Sequence, residues 1–427
     1  MARAGNDARR RRRRGPAGGH RADRRPHRGH GVLRGGAHVS ALVLSPVAEG
    51  ACSLERLRIF AFRNYAEQSV EFGRGINVVG GRNAQGKTNL LEAVATLLLT
   101  RSPRASSSAD VVAWGSDEAL VEAKVLRPAA DRTLAVRFRR DLASGRVTRT
   151  ATVDGSPRPA RDLLGLCPVV LFWPEDLQLV KAGPDMRRRL LDVVLAQLDR
   201  RAAADLLRYR HVLEQRNALL RQLRAGSAGL DALAGFTREL VESGSRIQVA
   251  RAELVAALIP HGREALAQIG GGEELGLRYL PDGGMEAGAG REEAEHTLAA
   301  TLVRRRDEEI ARGATLAGPH RDDLELLIGG RPARSAASQG QQRSIVLALK
   351  LAEVRHIASR AGVMPVLLLD DVLSELDPGR RRDLVAGIAA AGLQTLITSS
   401  EPLPETLPPG TRRFEVASGR VTAVMES

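Results

Sequence analysis

The chain has 427 residues, 43% of them hydrophobic, enough for two or three domains with a sizeable core. Two cysteines, Cys52 and Cys167, exclude a disulfide framework or a cysteine-rich zinc module, and no apolar run approaches the ~18 residues a membrane helix needs, so a reducing cytoplasm and no membrane partner are expected. The net charge is +14, but residues 1–50 hold twelve arginines and three acids, leaving +5 on the other 377; with 3% aromatics, such a body suits nucleic-acid phosphates better than stacking on unpaired bases.

Residues 1–52 read as a disordered basic N-terminal extension. "ARRRRRRGPAGGHRADRRPHRGHG" has almost no apolar periodicity and cannot bury enough surface to fold alone. An arm touching nucleic acid is one reading, and a secretory signal around "VSALVLSPVA" is another, disfavoured by Pro46 and by the length of the basic region. The favoured reading is a start site placed too early, with the protein proper beginning between Val43 and Ser53.

From Leu54 the pattern changes. "LERLRIFAFRNYAEQSVEF" alternates apolar and polar residues in two short runs, as paired strands do. "GINVVGG" follows as a short apolar strand, and "TNLLEAVATLLL" reads as a buried helix. Between them Gly81-Arg82-Asn83-Ala84-Gln85-Gly86-Lys87-Thr88 fits the phosphate-loop pattern G-x-x-x-x-G-K-[ST]. Backbone N–H groups must curl around a diphosphate there, glycine permits the curl, and the helix start adds its dipole. The chain has four lysines against sixty arginines, yet Lys87 stands in this loop. A compact ammonium reaches β- and γ-phosphate oxygens where a broad guanidinium fits badly. Thr88 offers its hydroxyl to Mg²⁺.

Residues 185–311 look mainly helical: Leu191, Val194, Leu195 and Leu198 repeat at helical spacing, as do Leu206, Tyr209 and Leu213. The segment is too short for a long coiled coil. It reads as a helical arm interrupted at Gly226 and at Gly270–Gly272, with a short strand at "LGLRYL". The triplets Arg187–Arg189 and Arg304–Arg306 are candidate phosphate contacts or, more simply, solvated helix faces. "GPHRDD" reads as a turn entering a strand, with His320 structural.

Near the C-terminus, Ser338 is a natural helix N-cap, Gly340 allows close approach at the helix start, and the helix behind them is apolar almost all round. Val366 to Leu369 form a buried strand whose end places Asp370 beside the phosphate loop in a doubly wound sheet, where it holds Mg²⁺ through its water shell. Asp371 points differently and is the candidate base for an attacking water.

Ser338-Gln339-Gly340-Gln341-Gln342 resembles the signature motif of ABC-type ATPases, and Ser374 to Asp377 stands where those proteins have the D-loop that contacts a second subunit. The resemblance narrows further. "FRNY" (Phe62 to Tyr65), "GRNAQGKTNLLEA", "FWPEDLQLVKAGPDMRRRLLD", "GPHRDDL", "SQGQQRS" and "LLLDDVLSELD" occur in the order found in the RecF family of bacterial recombination-repair ATPases, from about Leu54 to the C-terminus. The resemblance implies an α/β fold: a P-loop ABC-type ATPase head split into residues 53–184 and 312–427, with an inserted mainly helical arm at 185–311. It implies ATP and Mg²⁺ as cofactors, with the loop from Gly81 to Thr88 and, from a second subunit, Ser338, Gly340 and Gln341 around the nucleotide. Lys87 and Asp371 are then catalytic, and Thr88 and Asp370 hold the metal. The implied activity is a weak DNA-stimulated ATPase that dimerises on ATP. It binds double-stranded DNA near single-strand gaps and works with RecR and RecO to place RecA. An ABC subunit energising a transporter is the alternative, but such subunits have a histidine after the strand following the second motif, where "LQTLITSS" offers Thr398, Ser399 and Ser400. A P-loop kinase for small molecules has no use for the signature segment.

Overall fold

The computed structural model describes residues 50–227, 230–269, 272–286, 288–400 and 407–424; the basic segment at residues 1–49 lies outside them. In chain order the strands and helices are β1 (Ser53–Phe62), β2 (Tyr65–Glu71), β3 (Ile76–Gly80), α1 (Lys87–Leu98), β4 (Glu118–Leu126), β5 (Arg132–Arg140), β6 (Val147–Val153), β7 (Ser156–Arg158) and β8 (Val169–Phe172). There follow α2 (Pro184–Leu198), α3 (Arg200–Arg224), α4 (Asp231–Ile269), β9 (Leu275–Leu280), α5 (Arg291–Arg304) and α6 (Arg306–Arg312). The remainder comprises β10 (Asp323–Ile328), β11 (Arg331–Pro332), α7 (Ala333–Ala336), α8 (Gln339–Ala361), β12 (Val366–Asp370), α9 (Pro378–Ala390), β13 (Thr395–Thr398), β14 (Arg412–Ala417) and β15 (Arg420–Val424).

The strands form two six-stranded sheets, ordered β2-β1-β4-β5-β6-β7 and β15-β14-β3-β13-β12-β8, and a small sheet β11-β10-β9. The first is antiparallel, with Arg63 at φ 55° in the tight turn joining β1 to β2. In the second, β14, β3, β13, β12 and β8 run parallel, and β15 closes one edge antiparallel.

The parallel strands β3, β13, β12 and β8 are buried almost throughout because both their faces are covered, whereas β14 alternates buried and exposed residues. Val366 and Leu368 of β12, Leu396 of β13 and Val169 and Leu171 of β8 pack with α1 and the antiparallel sheet. Their neighbours Leu367, Leu369, Ile397, Val170 and Phe172 point the other way, into a core shared with α8 and the helical segment. Helix α8 is buried nearly throughout from Ile345 to Ala358, which explains its lack of a polar face.

The helical segment divides its packing. Leu254, Val255, Leu258, Ala265 and Leu266 of α4 and Leu190, Leu191 and Val194 of α2 belong to the same core as α8. Farther along, Tyr209, Val212, Leu240, Val241 and Leu298 form a separate small cluster, and Leu219, Leu220 and Leu233 another. Helix α4 runs unbroken through Gly235, Gly244 and Pro260. Gly244 lies where a Cβ would meet Tyr209 and Leu298 at 3.0 and 3.1 Å, so helix contact, not a break, accounts for it. Cys52 and Cys167 are free and buried.

Candidate active site

The loop between β3 and α1 is held from both sides. Gly81 has φ 140° and Gly86 φ 122°, conformations that side chains resist. A Cβ on Gly81 would lie 2.4 Å from the Val416 carbonyl, and one on Gly86 would lie 2.6 Å from the Asn64 amide. Protein neighbours therefore demand both glycines, independently of any phosphate. The Tyr65 hydroxyl donates to the Gly86 carbonyl at 2.9 Å and Asn64 donates to the Gln85 carbonyl at 3.0 Å. From the opposite side, the turn between β14 and β15 donates Ser418 N to the Gln85 side chain at 2.7 Å and Gly419 N to its carbonyl at 3.1 Å. Gln85 thus fixes the loop through its side chain, whereas Arg82, Asn83 and Ala84 are exposed at the rim.

Lys87 begins α1 and is 7% exposed; its Nζ donates to the carbonyls of Gly81 at 2.6 Å and Arg82 at 3.0 Å. The ammonium is thereby folded across the mouth of its own loop, within the space the loop encloses. Thr88 Oγ1 lies 2.9 Å from both carboxylate oxygens of Asp370, bringing together two residues 282 positions apart. Asp370 ends β12, two strands from β3 across β13. It is 4% exposed, and burial pushes its carboxyl above the ordinary range against the opposing pull of the Thr398 and Thr88 hydroxyls. A buried carboxylate beside a hydroxyl is a hard-oxygen donor set that fits Mg²⁺, which takes few protein ligands and keeps water and phosphate for the rest. No group of three or more His, Cys, Asp or Glu among the described residues is placed to hold a metal.

Asp371 adopts φ 52°, a left-handed conformation costly for a residue with a side chain. Its N–H donates to Thr398 Oγ1 at 2.9 Å, and that hydroxyl donates to Asp370 at 2.7 Å. The strained turn therefore directs the two carboxylates apart. Ser400 N and Oγ both lie 3.3 Å from the Asp371 carboxylate. The end of β13 thus supplies Thr398 to one aspartate, and Ser400, two residues beyond the strand, supports the other.

Ser338 caps α8: its Oγ accepts from Gln341 N at 3.3 Å and its N–H donates to Gln341 Oε1 at 2.7 Å. Gln341 also donates to Glu273, so its amide is committed within the chain. Ser338 and Gly340 are exposed, and a Cβ on Gly340 would meet nothing within 4 Å. No hydrogen bond among the described residues joins this corner to the loop at Gly81–Thr88.

The arginine triplets separate residue by residue. Arg187 is buried and pairs bidentately with Asp323 at 2.7 and 3.0 Å, and Arg188 donates to the Asp322 carbonyl at 2.5 Å. Arg305 donates to the Leu316 carbonyl at 2.6 Å and Arg304 to Thr301 at 2.8 Å. These side chains fasten helices, and of the first triplet Arg189 is the exposed member. "GPHRDD" proves to be a knot between head and arm. Asp322, fully buried, receives Gln248 at 2.9 Å, Arg251 at 3.1 Å, Asp282 N at 2.8 Å and the Tyr279 hydroxyl. His320 Nε2 faces the Thr315 carbonyl at 3.2 Å and must carry the proton, leaving Nδ1 to accept from Tyr209 at 2.6 Å. Arg63 and Arg104 both bind Glu92, a fully buried carboxylate on α1.

The chain matches the RecF/RecN/SMC N-terminal domain family over residues 53–403. It is 41% identical over 376 residues to the DNA replication and repair protein RecF of Symbiobacterium thermophilum, covering 86% of this chain and 97% of that one. It is 38% identical over 372 residues to the RecF of Moorella thermoacetica, covering 87% and 96%. A solved structure of the recombination mediator protein RecF with ATP, from the RecFOR pathway, superposes with a TM-score of 0.80 at 31% identity, over 88% of this chain and 98% of that one. With a P-loop ABC-type head, a helical arm and this extent of identity, the chain belongs to the RecF family.

Proposed function

We propose that this protein is an ATP-binding DNA replication and repair factor that hydrolyses ATP slowly and uses it to join two copies of itself on duplex DNA beside single-strand gaps, assisting RecA loading with RecR and RecO. The observation that carries the reading is the Thr88–Asp370 contact of 2.9 Å, which unites a phosphate loop with a carboxylate at the end of a distant parallel strand. Relatives named for DNA replication and repair, and one solved with ATP, support it.

Thr88 and Asp370 would hold Mg²⁺, whose charge offsets that on the phosphate oxygens. Lys87 is positioned to exchange its two carbonyl partners for β- and γ-phosphate oxygens, and the glycines at 81 and 86 keep the cradle curved. Asp371, turned away from Asp370 and aligned by Ser400, is the group to accept a proton from attacking water. Ser338 and Gly340 are exposed, and a Cβ on Gly340 would meet nothing of its own chain, which suits a lid over the nucleotide of a second copy. Loss of the γ-phosphate removes the charge that cradle and lid share, and the pair separates.

Sedimentation with and without ATP, on gapped duplex and on single strands, tests the reading. The expected result is a dimer that requires ATP and persists in Asp371→Asn, which binds nucleotide without turning it over. A dimer equally abundant without nucleotide defeats it.

A further inference from the structure

A cavity of about 570 Å³ opens between the antiparallel sheet and the helical segment. Arg101, just past α1, Arg149 on β6, Arg189 on α2 and Arg210 on α3 converge on it from four separate elements. Arg149 donates to the Thr100 carbonyl and Arg189 to the Pro103 carbonyl, so two guanidiniums bracket the short segment that carries Arg101. That segment is itself anchored: Ser102 donates to the buried Glu92 at 2.5 Å and Arg104 at 3.2 Å.

The acids at this cavity do not balance the charge. Asp192 is engaged by Arg251 at 2.8 Å, and Asp185 is taken by Arg188. Among the described residues, Arg101 and Arg210 form no hydrogen bond or ion pair. Burial and the like charges of Arg189 and Arg210 bring Arg101 down to about 10. Concentrating like charges in a concave site focuses a positive potential there. The aromatic rings lining it, Phe138 and Tyr209, are 1% and 5% exposed, and the Tyr209 hydroxyl is occupied by His320. They offer no platform on which bases could stack.

We propose that this arginine cleft is a binding site for consecutive phosphates of duplex DNA, with Arg101 and Arg210 as the contacts that carry no obligation within the protein. The assignment rests on the DNA-binding reading above and gives that reading a location. The cavity is too small to admit a duplex and takes the edge of one strand's backbone, which makes the contact independent of sequence. A free polyphosphate has the same chemistry, so both ligands enter the test.

Duplex affinity is measured by fluorescence anisotropy with ATP present, from low to physiological salt. The proteins compared are the parent chain, R101Q/R210Q, R101K/R210K and the charge-matched control R331Q/R360Q. The expected result is about a tenfold or greater loss in R101Q/R210Q, with the log–log salt slope reduced by about 2, since each phosphate contact contributes about 0.9. The lysine pair keeps the slope, the control keeps both, and affinity for a fluorescent ATP analogue is the same in all four, which also certifies folding. R101Q/R210Q matching the control overturns the site. So does an inorganic tripolyphosphate that binds the parent chain through these arginines while duplex affinity stays unaltered in R101Q/R210Q. A parent chain with no affinity for duplex at all sinks the DNA-binding reading itself, and the site with it.

Discussion

Lys87 makes the sharpest case for a single residue. Its ammonium fits between two carbonyls 2.6 and 3.0 Å away, at 7% exposure, a space that a planar five-donor guanidinium does not match. Lys87→Ala is expected to abolish nucleotide binding, and Lys87→Arg not to restore it although the charge returns; equilibrium binding of a fluorescent ATP analogue distinguishes the two. Recovery in the arginine variant means that charge alone suffices. His320 makes a different kind of case. Burial holds its pKa at about 4, below the usual 6.5, with Arg321 and Arg188 adding to the depression and Asp322 and the Thr315 carbonyl opposing it. Between those two values the unfolded chain takes up a proton that the folded chain refuses, so acidification favours unfolding. His320→Gln can still accept from Tyr209 and donate to Thr315. Relative to that variant, the parent is expected to lose about 1.5 kcal/mol between pH 6.5 and 5 in urea titrations. Parallel pH profiles contradict it.

At the scale of elements, what was readable from sequence divides by how far apart the cooperating residues lie. The loop from Gly81 to Thr88 was legible because its glycines, lysine and threonine act within one turn of chain, and the same holds for the cap between Ser338 and Gln341. The alternation in "EALVEAKVL" leaves Ala119, Val121, Ala123 and Val125 buried, a strand signal of ordinary strength, but nothing local gives the order β4-β5-β6 or their pairing with β1. The Asn64 and Tyr65 clamp on the loop was visible only as a family mark. "GPHRDD" is a turn entering β10, as its sequence indicates, but nothing local gives its partners: Arg187 and Asp323 are 136 positions apart, Tyr209 and His320 111. Arg187–Arg189, read as a possible DNA contact, is mostly spent on that same knot. The knot has a measurable weight. Asp322→Ala leaves Arg251, whose side chain is 4% exposed, without one of its two carboxylates, strips Asp282 N of its acceptor, and leaves Gln248 with the Asp282 carbonyl alone. Removing one partner of a buried pair costs about 3–5 kcal/mol. Chemical denaturation is expected to register that loss, with the helical segment becoming protease-sensitive before the head; a loss under about 1 kcal/mol means the knot is dispensable.

At the scale of the whole molecule, the exposed capping corner and the enclosed phosphate loop make opposite demands on a partner. On the proposed function, Lys87 and Thr88 hold the nucleotide of their own copy, whereas the exposed Ser338 and Gly340 cover that of another. A two-fold pair satisfies both twice over, each copy giving a cradle to one site and a lid to the other. The arrangement predicts complementation between defective chains. Lys87→Ala spoils the cradle and Ser338→Arg blocks the lid, so each protein alone is inactive in ATP turnover. In a mixed pair, one site combines both defects, while the other joins the intact cradle of the Ser338→Arg copy to the intact lid of the Lys87→Ala copy. Random pairing of equal amounts makes half the dimers mixed, each with one sound site of two, so turnover is expected to recover to about a quarter of the parent value if sites act independently. If cradle and lid served the same nucleotide within one chain, mixing would restore nothing, because neither polypeptide carries a complete set. Recovery that rises with the mole fraction product of the two variants, and vanishes when either also carries the other's substitution, therefore separates a shared site from a self-contained one.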